Sequence, residues 1–165
     1  MRTKRARAQA VALLAWGLTV AVTGSAPASS SEVTASATGA GHRISGGELR
    51  SFSFGAVRHS DGTVTGQAHV YPRSLDAFAQ ISIDCLTFPE PNIARMSGTV
   101  TFTSDPTIFK PDEYVHFAVQ DNGTGTAAEP DRITGIPENA PVRCDEGAPP
   151  SPFNPVLRGD VQVQP

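Results

Sequence analysis

Leu49-Arg50-Ser51-Phe52-Ser53-Phe54-Gly55-Ala56, then Asp61-Gly62, then Thr63-Val64-Thr65-Gly66-Gln67-Ala68-His69-Val70, is the stretch that decides the fold class. Phe52, Phe54 and Ala56 alternate with Ser51, Ser53 and Gly55. Beyond the Asp-Gly pair, Val64, Gly66, Ala68 and Val70 alternate with Thr63, Thr65, Gln67 and His69. A period of two sends successive side chains to opposite faces, which is strand geometry with one apolar and one polar face. Asp-Gly between two such runs accepts the positive φ of a tight turn. Residues 50–71 are expected to form a β-hairpin.

The same period continues outward. Ile81, Ile83 and Cys85 are expected to face one way, Ser82 and Asp84 the other. Met96, Gly98, Val100 and Phe102 alternate with Ser97, Thr99, Thr101 and Thr103, and Val115, Phe117 and Val119 with Tyr114, His116 and Ala118. Val161 and Val163 alternate with Gln162 and Gln164, and Ile133 and Ile136 mark one more short strand. Pro72, Pro89, Pro91, Pro106, Pro111 and Pro130 punctuate these runs. No helical stripe free of Gly and Pro is present; residues 73–80 have room for one helical turn. Short strands at close spacing predict an all-β fold, an antiparallel sandwich or small barrel.

Residues 1–28 differ from the rest. Arg2, Lys4, Arg5 and Arg7 precede an uncharged apolar stretch from Ala10 to Val22, and Ala26-Pro27-Ala28 supplies a small-x-small exit. That is the pattern of a secretory signal peptide, and the stretch is shorter than the ~20 residues of a membrane span. Cleavage is expected after Ala28, with Ala37 as the competing site. Residues 29–45, rich in Ser, Ala, Thr and Gly, are expected to be a flexible leader, and residues 46–165 a single β domain. The mature protein is expected to be secreted, with no stable membrane insertion. Of 13 Lys and Arg, four lie in residues 1–28; nine remain against 16 acids, a net charge of −7. No basic stripe is left to release counterions from a phosphate backbone, so nucleic acid is not an expected partner.

Cys85 and Cys144 are the only cysteines. In an oxidising compartment two thiols most simply pair, and neither has a His or Cys at metal-ligand spacing. Cys144 sits in a Pro-rich loop, residues 137–155, holding Pro137, Pro141, Pro149, Pro150, Pro152 and Pro155. Proline lacks an N–H, so this segment is read as a stiff surface loop.

Chemistry is harder to locate. Asp121-Asn122-Gly123-Thr124-Gly125, followed by Glu129, Pro130 and Asp131, concentrates oxygens in a Gly-rich turn. Asp121, Asn122 and Asp131 are the candidate binding residues. Two readings stand side by side: a Ca²⁺ site near Asp121, or turn chemistry in which Asp caps and Asn-Gly takes a positive φ. Asn122-Gly123-Thr124 also matches the glycosylation sequon. His69 and His116 would meet at a metal if their strands were neighbours; otherwise both are solvent-facing. Signatures of serine hydrolases, zinc proteases and phosphate-binding loops are absent from the sequence.

The ordered set Ser51-Phe52-Ser53-Phe54-Gly55-Ala56, Asp61-Gly62-Thr63-Val64-Thr65-Gly66-Gln67, Asp84-Cys85-Leu86, Asp121-Asn122-Gly123, Pro130-Asp131-Arg132-Ile133 and Gly159-Asp160-Val161-Gln162-Val163 resembles a family of small secreted bacterial β-rich domains without known activity. The resemblance spans most of residues 46–163 and implies an exported β domain with no catalytic residues to carry over. The function expected is a secreted, non-catalytic β-domain with a binding or structural role at or outside the cell surface. Its expected partner is an extracellular protein or polymer, met by the 121–131 loop and the Pro-rich loop. The alternatives are a hydrolase using two of Asp84, Asp112, Glu113 and Asp121 as carboxylates, and a protease inhibitor presenting Arg143 beside Cys144.

Overall fold

Apolar residues on one face of each strand have to be hidden together, and a single rolled sheet does this here. The computed structural model describes residues 31–124, 128–135, 142–148 and 151–165. Its strands are β1 (Val33–Ser45), β2 (Glu48–His59), β3 (Val64–Pro72), β4 (Ala79–Glu90), β5 (Ile93–Thr103), β6 (Tyr114–Gln120), β7 (Arg132–Ile133), β8 (Asn154–Pro155) and β9 (Arg158–Gln164). They form one antiparallel sheet in the order β8-β7-β6-β5-β4-β3-β2-β1-β9. The chain runs as a meander through β8, and β9 then returns to pair with β1. The all-β antiparallel expectation holds. The inner face gathers Phe52, Phe54, Ile81, Ile83, Met96, Val100, Val115, Phe117 and Val161 into one core.

The hairpin read from residues 50–71 is β2–β3, with Phe54 opposite Ala68 and Phe52 opposite Val70 on the inner face. Asp61 shapes its turn: Oδ1 accepts from the Thr63 backbone N–H at 2.9 Å and from the Thr63 hydroxyl at 2.7 Å. Residues 73–76 form a turn, not a helix, before β4 begins at Ala79. Of the Ile133–Ile136 pair, Ile133 lies in β7 and Ile136 lies outside the described residues.

The leader expected over residues 29–45 is corrected, because β1 occupies Val33–Ser45 and pairs along its length with β2 and β9. Its small residues are a packing requirement, not a mark of looseness. A Cβ on Gly39 would stand 2.8 Å from the Phe54 ring, and one on Gly41 would stand 2.4 Å from the Arg158 carbonyl oxygen. Ala37 is fully buried opposite Ala56. The turn into β2 uses Gly46 and Gly47 with φ of 62° and 79°, the left-handed pair that a two-residue hairpin loop of this kind needs.

The facing of Cys85 is also corrected. The β4–β5 register slips between Ile83 and Cys85, so Asp84 is an extra residue in β4. A bulge of this kind reverses the alternation beyond it. Leu86 therefore enters the core opposite Met96, and Cys85 turns outward opposite Ser97. There it bonds Cys144, with Cα atoms 5.9 Å apart across 59 residues of chain.

The rolled sheet does not close through a backbone ladder. Across the gap between the β6–β7 side and β9, two carboxylates take the place of strand pairing. Asp131 Oδ2 accepts from the Val161 amide at 2.8 Å, and Asp121 Oδ2 accepts from the Val163 amide at 3.1 Å. The signal peptide expected over residues 1–28 lies outside the described residues, as do residues 125–127 of the 121–131 loop, Ile136, and residues 137–141 and 149–150 of the Pro-rich loop.

Candidate functional site

Asp121, Asn122 and Asp131, the residues singled out for binding, come together, and they do so as this seam. Asp131 is 7% exposed; its Oδ1 accepts from the Asn122 amide at 2.9 Å while Oδ2 holds β9. Asp121 Oδ1 accepts from the Gly123 amide at 2.8 Å, and the Asn122 side chain donates to the Pro130 carbonyl at 2.7 Å. All four carboxylate oxygens thus face amide donors. Among the described residues no group of three or more His, Cys, Asp or Glu is placed to hold a metal ion.

His69 and His116 do not meet, because β4 and β5 separate their strands. The solvent-facing reading of His116 is corrected: the residue is fully buried, and neither ring nitrogen has a hydrogen-bond partner. The physical reason is the disulfide. Cys144 brings its loop down over the outer face of β4–β6, donating its amide to Ser97 Oγ at 3.0 Å and accepting from Thr87 Oγ1 at 3.1 Å through its carbonyl. Burial, with the Arg95 cation as a lesser cause, pushes the His116 pKa down.

The acids considered for hydrolysis are dispersed. Asp84 accepts from the Tyr114 hydroxyl at 2.9 Å, Asp112 and Glu113 lie in the turn before β6, and Asp121 lies in the seam. Arg143 is exposed and pairs with Asp145 at 3.4 Å.

The open part of the outer face presents a different surface. Register places Gln162, Thr38, Gly55, Gln67, Ser82, Thr99 and Tyr114 in one row across β9, β1, β2, β3, β4, β5 and β6. With strands ~4.8 Å apart, that row runs roughly 29 Å. The adjoining row is Asp160, Ala40, Ser53, His69, Gln80 and Phe102. An open groove of about 790 Å³ lies over the β2–β4 part of these rows, bounded by Ser53, Val57, Gln67, His69, Ser82 and Asp84 among others. Gly55 makes its floor: a Cβ there would meet only Thr38 Cγ2, at 3.9 Å.

A second groove of about 260 Å³ shares Ser53 and His69 with the first and continues past Tyr71 to Phe78. The His69 Nδ1 and Ser53 Oγ are 3.4 Å apart, and Gln80 Nε2 donates to Gln67 Oε1 at 3.4 Å. Phe78 lies beside both His69 and Phe102, with ring centroids 5.5 and 6.2 Å apart, and Phe102 is 53% exposed. The Tyr71 hydroxyl donates to Asp76 at 2.5 Å, which raises its pKa. Neutral donors and acceptors beside exposed ring faces suit an uncharged, hydroxyl-bearing surface: hydroxyls hydrogen-bond the amides and serines, and C–H faces rest on the rings.

This face is hard to recognise in the sequence because outward residues of a half-buried strand default to solvation. One signal was present. A merely solvated face carries Lys and Glu, whereas Ser53, Thr65, Gln67, Gln80, Ser82 and Thr99 are all neutral, and Lys110 is the only lysine after residue 28. Compared with family models, curated proteins and solved structures, the chain matches none.

Proposed function

We propose that this chain is an exported, non-catalytic binding domain that uses the open outer face of β1–β5 to hold an extended polyhydroxylated polymer such as a glycan. The observation that carries the reading is an open groove instead of a deep pocket, walled by Gln67 and Ser82 and joined at Ser53 and His69 to a second groove that reaches Phe78, whose ring lies beside the exposed Phe102. A long shallow groove fits a chain better than a small molecule, which is bound where most of its surface is enclosed. The bond between Cys85 and Cys144 points to an oxidising environment, and no helix among the described residues is long and apolar enough to cross a membrane. Cleavage after Ala28 leaves β1 whole, whereas cleavage after Ala37 would remove residues that pair with β2 and β9. Asp121, Asn122 and Asp131 are engaged in the seam, so the contact surface is assigned to the sheet face instead.

Gly55→Phe provides the test. The site has open space above it, so the ring fills the groove with little cost to folding. Depletion of the protein from solution by insoluble polysaccharides, with release of reducing ends followed in parallel, is expected to show binding by the native chain, at least tenfold weaker binding by the variant, and no turnover. Equal binding by both chains, or release of reducing ends, overturns the reading.

A further inference from the structure

The polar rows end in a group of cations. Register continues the outer face into a third row, Arg158, His42, Ser51 and Tyr71. A cleft of about 270 Å³ there is lined by His42, Leu49, Arg73, Leu157 and Arg158, with no carboxylate in its wall. Ser51 fixes two of these groups: its Oγ is 3.0 Å from His42 Nδ1 and accepts from Arg73 Nε at 3.0 Å. The ion pairs among the described residues, Arg50–Glu48, Arg132–Glu129 and Arg143–Asp145, leave Arg73 and Arg158 without a carboxylate partner. The next outward residue of β9, Asp160, is engaged by Gln162 Nε2 at 3.2 Å. On the reverse face of the same end, Arg43 is 2% exposed, with one guanidinium nitrogen lacking a hydrogen bond.

In a chain of net charge −7 after residue 28, two of the nine remaining cations, Arg73 and Arg158, line this one cleft. Self-attraction in an acidic protein would disperse cations among its own carboxylates. A cluster left unneutralised in a cleft holds a positive potential for something outside the chain. Ser51 also borders the second groove, so the cleft and the neutral rows meet at that residue.

Resting on the reading of the outer face as a polymer-binding surface, we propose that the polymer is a polyanion, a hydroxyl-bearing chain with acid groups along it. One acid group of the polymer, carboxylate or phosphate, seats between Arg73, Arg158 and His42, while the neutral part of the chain runs past Ser53, His69 and Phe78. Arg73 and Arg158 each carry a guanidinium suited to the planar or tetrahedral oxygens of such a group. The exposed Leu49 and Leu157 give the cleft apolar walls that lower the local dielectric around the pair.

The test titrates residues 29–165 with oligogalacturonate, oligomeric glycerol phosphate, xylohexaose, and galacturonate monomer with inorganic phosphate, at low salt and at 0.2 M salt. One or both anionic oligomers are expected to bind about tenfold tighter than xylohexaose at low salt, with the advantage lost at high salt. The Arg73→Gln, Arg158→Gln double variant is expected to lose that advantage while its binding of xylohexaose is unchanged. Preference for oligogalacturonate alone assigns the carboxylate, and preference for the glycerol phosphate oligomer alone assigns the phosphate; both support the inference. Binding of xylohexaose with no anionic advantage, or an advantage that survives in the double variant, overturns the anionic assignment and leaves the groove reading intact. Equal binding of the monomeric anions overturns the polymer part. No binding by any oligomer, with Gly55→Phe indistinguishable from the native chain, overturns both.

Discussion

The outer face of the sheet falls into two halves with the same strand periodicity and opposite fates. Over β4–β6, the disulfide-anchored loop seals the outward residues: Ser97, His116 and Ala118 are as hidden as the core. Over β1–β4, outward Thr38, Gln67 and Ser82 are exposed, and the rings of Phe78 and Phe102 line their edge. A polar outward residue has no fixed meaning by itself; what passes over it decides whether it contributes to stability or to recognition. The seam and the disulfide hold the sheet together, which leaves the open half free of structural duty.

The largest test of that division removes the staple. Replacing Cys85 and Cys144 together by Ala frees a loop of 59 residues, a loss of about 4 kcal/mol and a fall in melting temperature on the order of 10 °C. Calorimetry checks the size. Sealing and binding are separable only if polymer binding at 20 °C survives in the folded fraction. Next comes the seam. Asp131→Ala leaves the Val161 and Asn122 amides without their buried acceptor, at a cost of about 3 kcal/mol in chemical denaturation, and Asp131→Asn costs less because one acceptor oxygen remains.

A smaller effect, confined to acid, belongs to the sealed half. His116 has its pKa lowered by burial, so the unfolded chain takes up a proton at higher pH than the folded one. The stability it permits is present above about pH 6.5 and falls as pH drops below that value toward the folded pKa. His116→Leu is expected to flatten the pH dependence of denaturation midpoints between 7 and 5, and an unchanged slope would mean that the ring is wet. The smallest effect on folding belongs to the open half: Phe102→Ser is expected to shift stability by less than about 0.5 kcal/mol while weakening polymer binding severalfold.

How much of this was legible depends on whether each residue's surroundings lay nearby in sequence. The β2–β3 hairpin was legible because Phe52, Phe54 and Ala56 contrast sharply with Ser51, Ser53 and Gly55, and because Asp61-Gly62 announces the turn. β1 was not, since Ala35, Ala37, Gly39 and Gly41 give little contrast with Ser36, Thr38 and Ala40; their smallness answers to Phe54 and to the β9 backbone, both distant in the chain. The pairing of Cys85 with Cys144 followed from their number, but the outward turn of Cys85 depends on a bulge at Asp84 that no composition signals. The burial of His116 likewise depends on Cys144. Asp121 and Asp131 stand together in a turn-rich stretch, but what their carboxylates hold, the Val163 and Val161 amides of β9, lies 42 and 30 residues further along the chain. The neutral outer row was legible residue by residue; its alignment across seven strands was not, because register is a property of partners.

The pairing of β1 with β9 constrains the order in which the chain can mature. Residues 36–42 zip against residues 158–164, so β1 waits for a segment made more than a hundred residues later to find its second neighbour. Until the C-terminal segment arrives, β1 presents a bare flank that any passing strand could occupy. Loss of β9 would therefore be felt at β1, more than a hundred residues away in the chain, and a half-made chain is more prone to aggregate than the finished one.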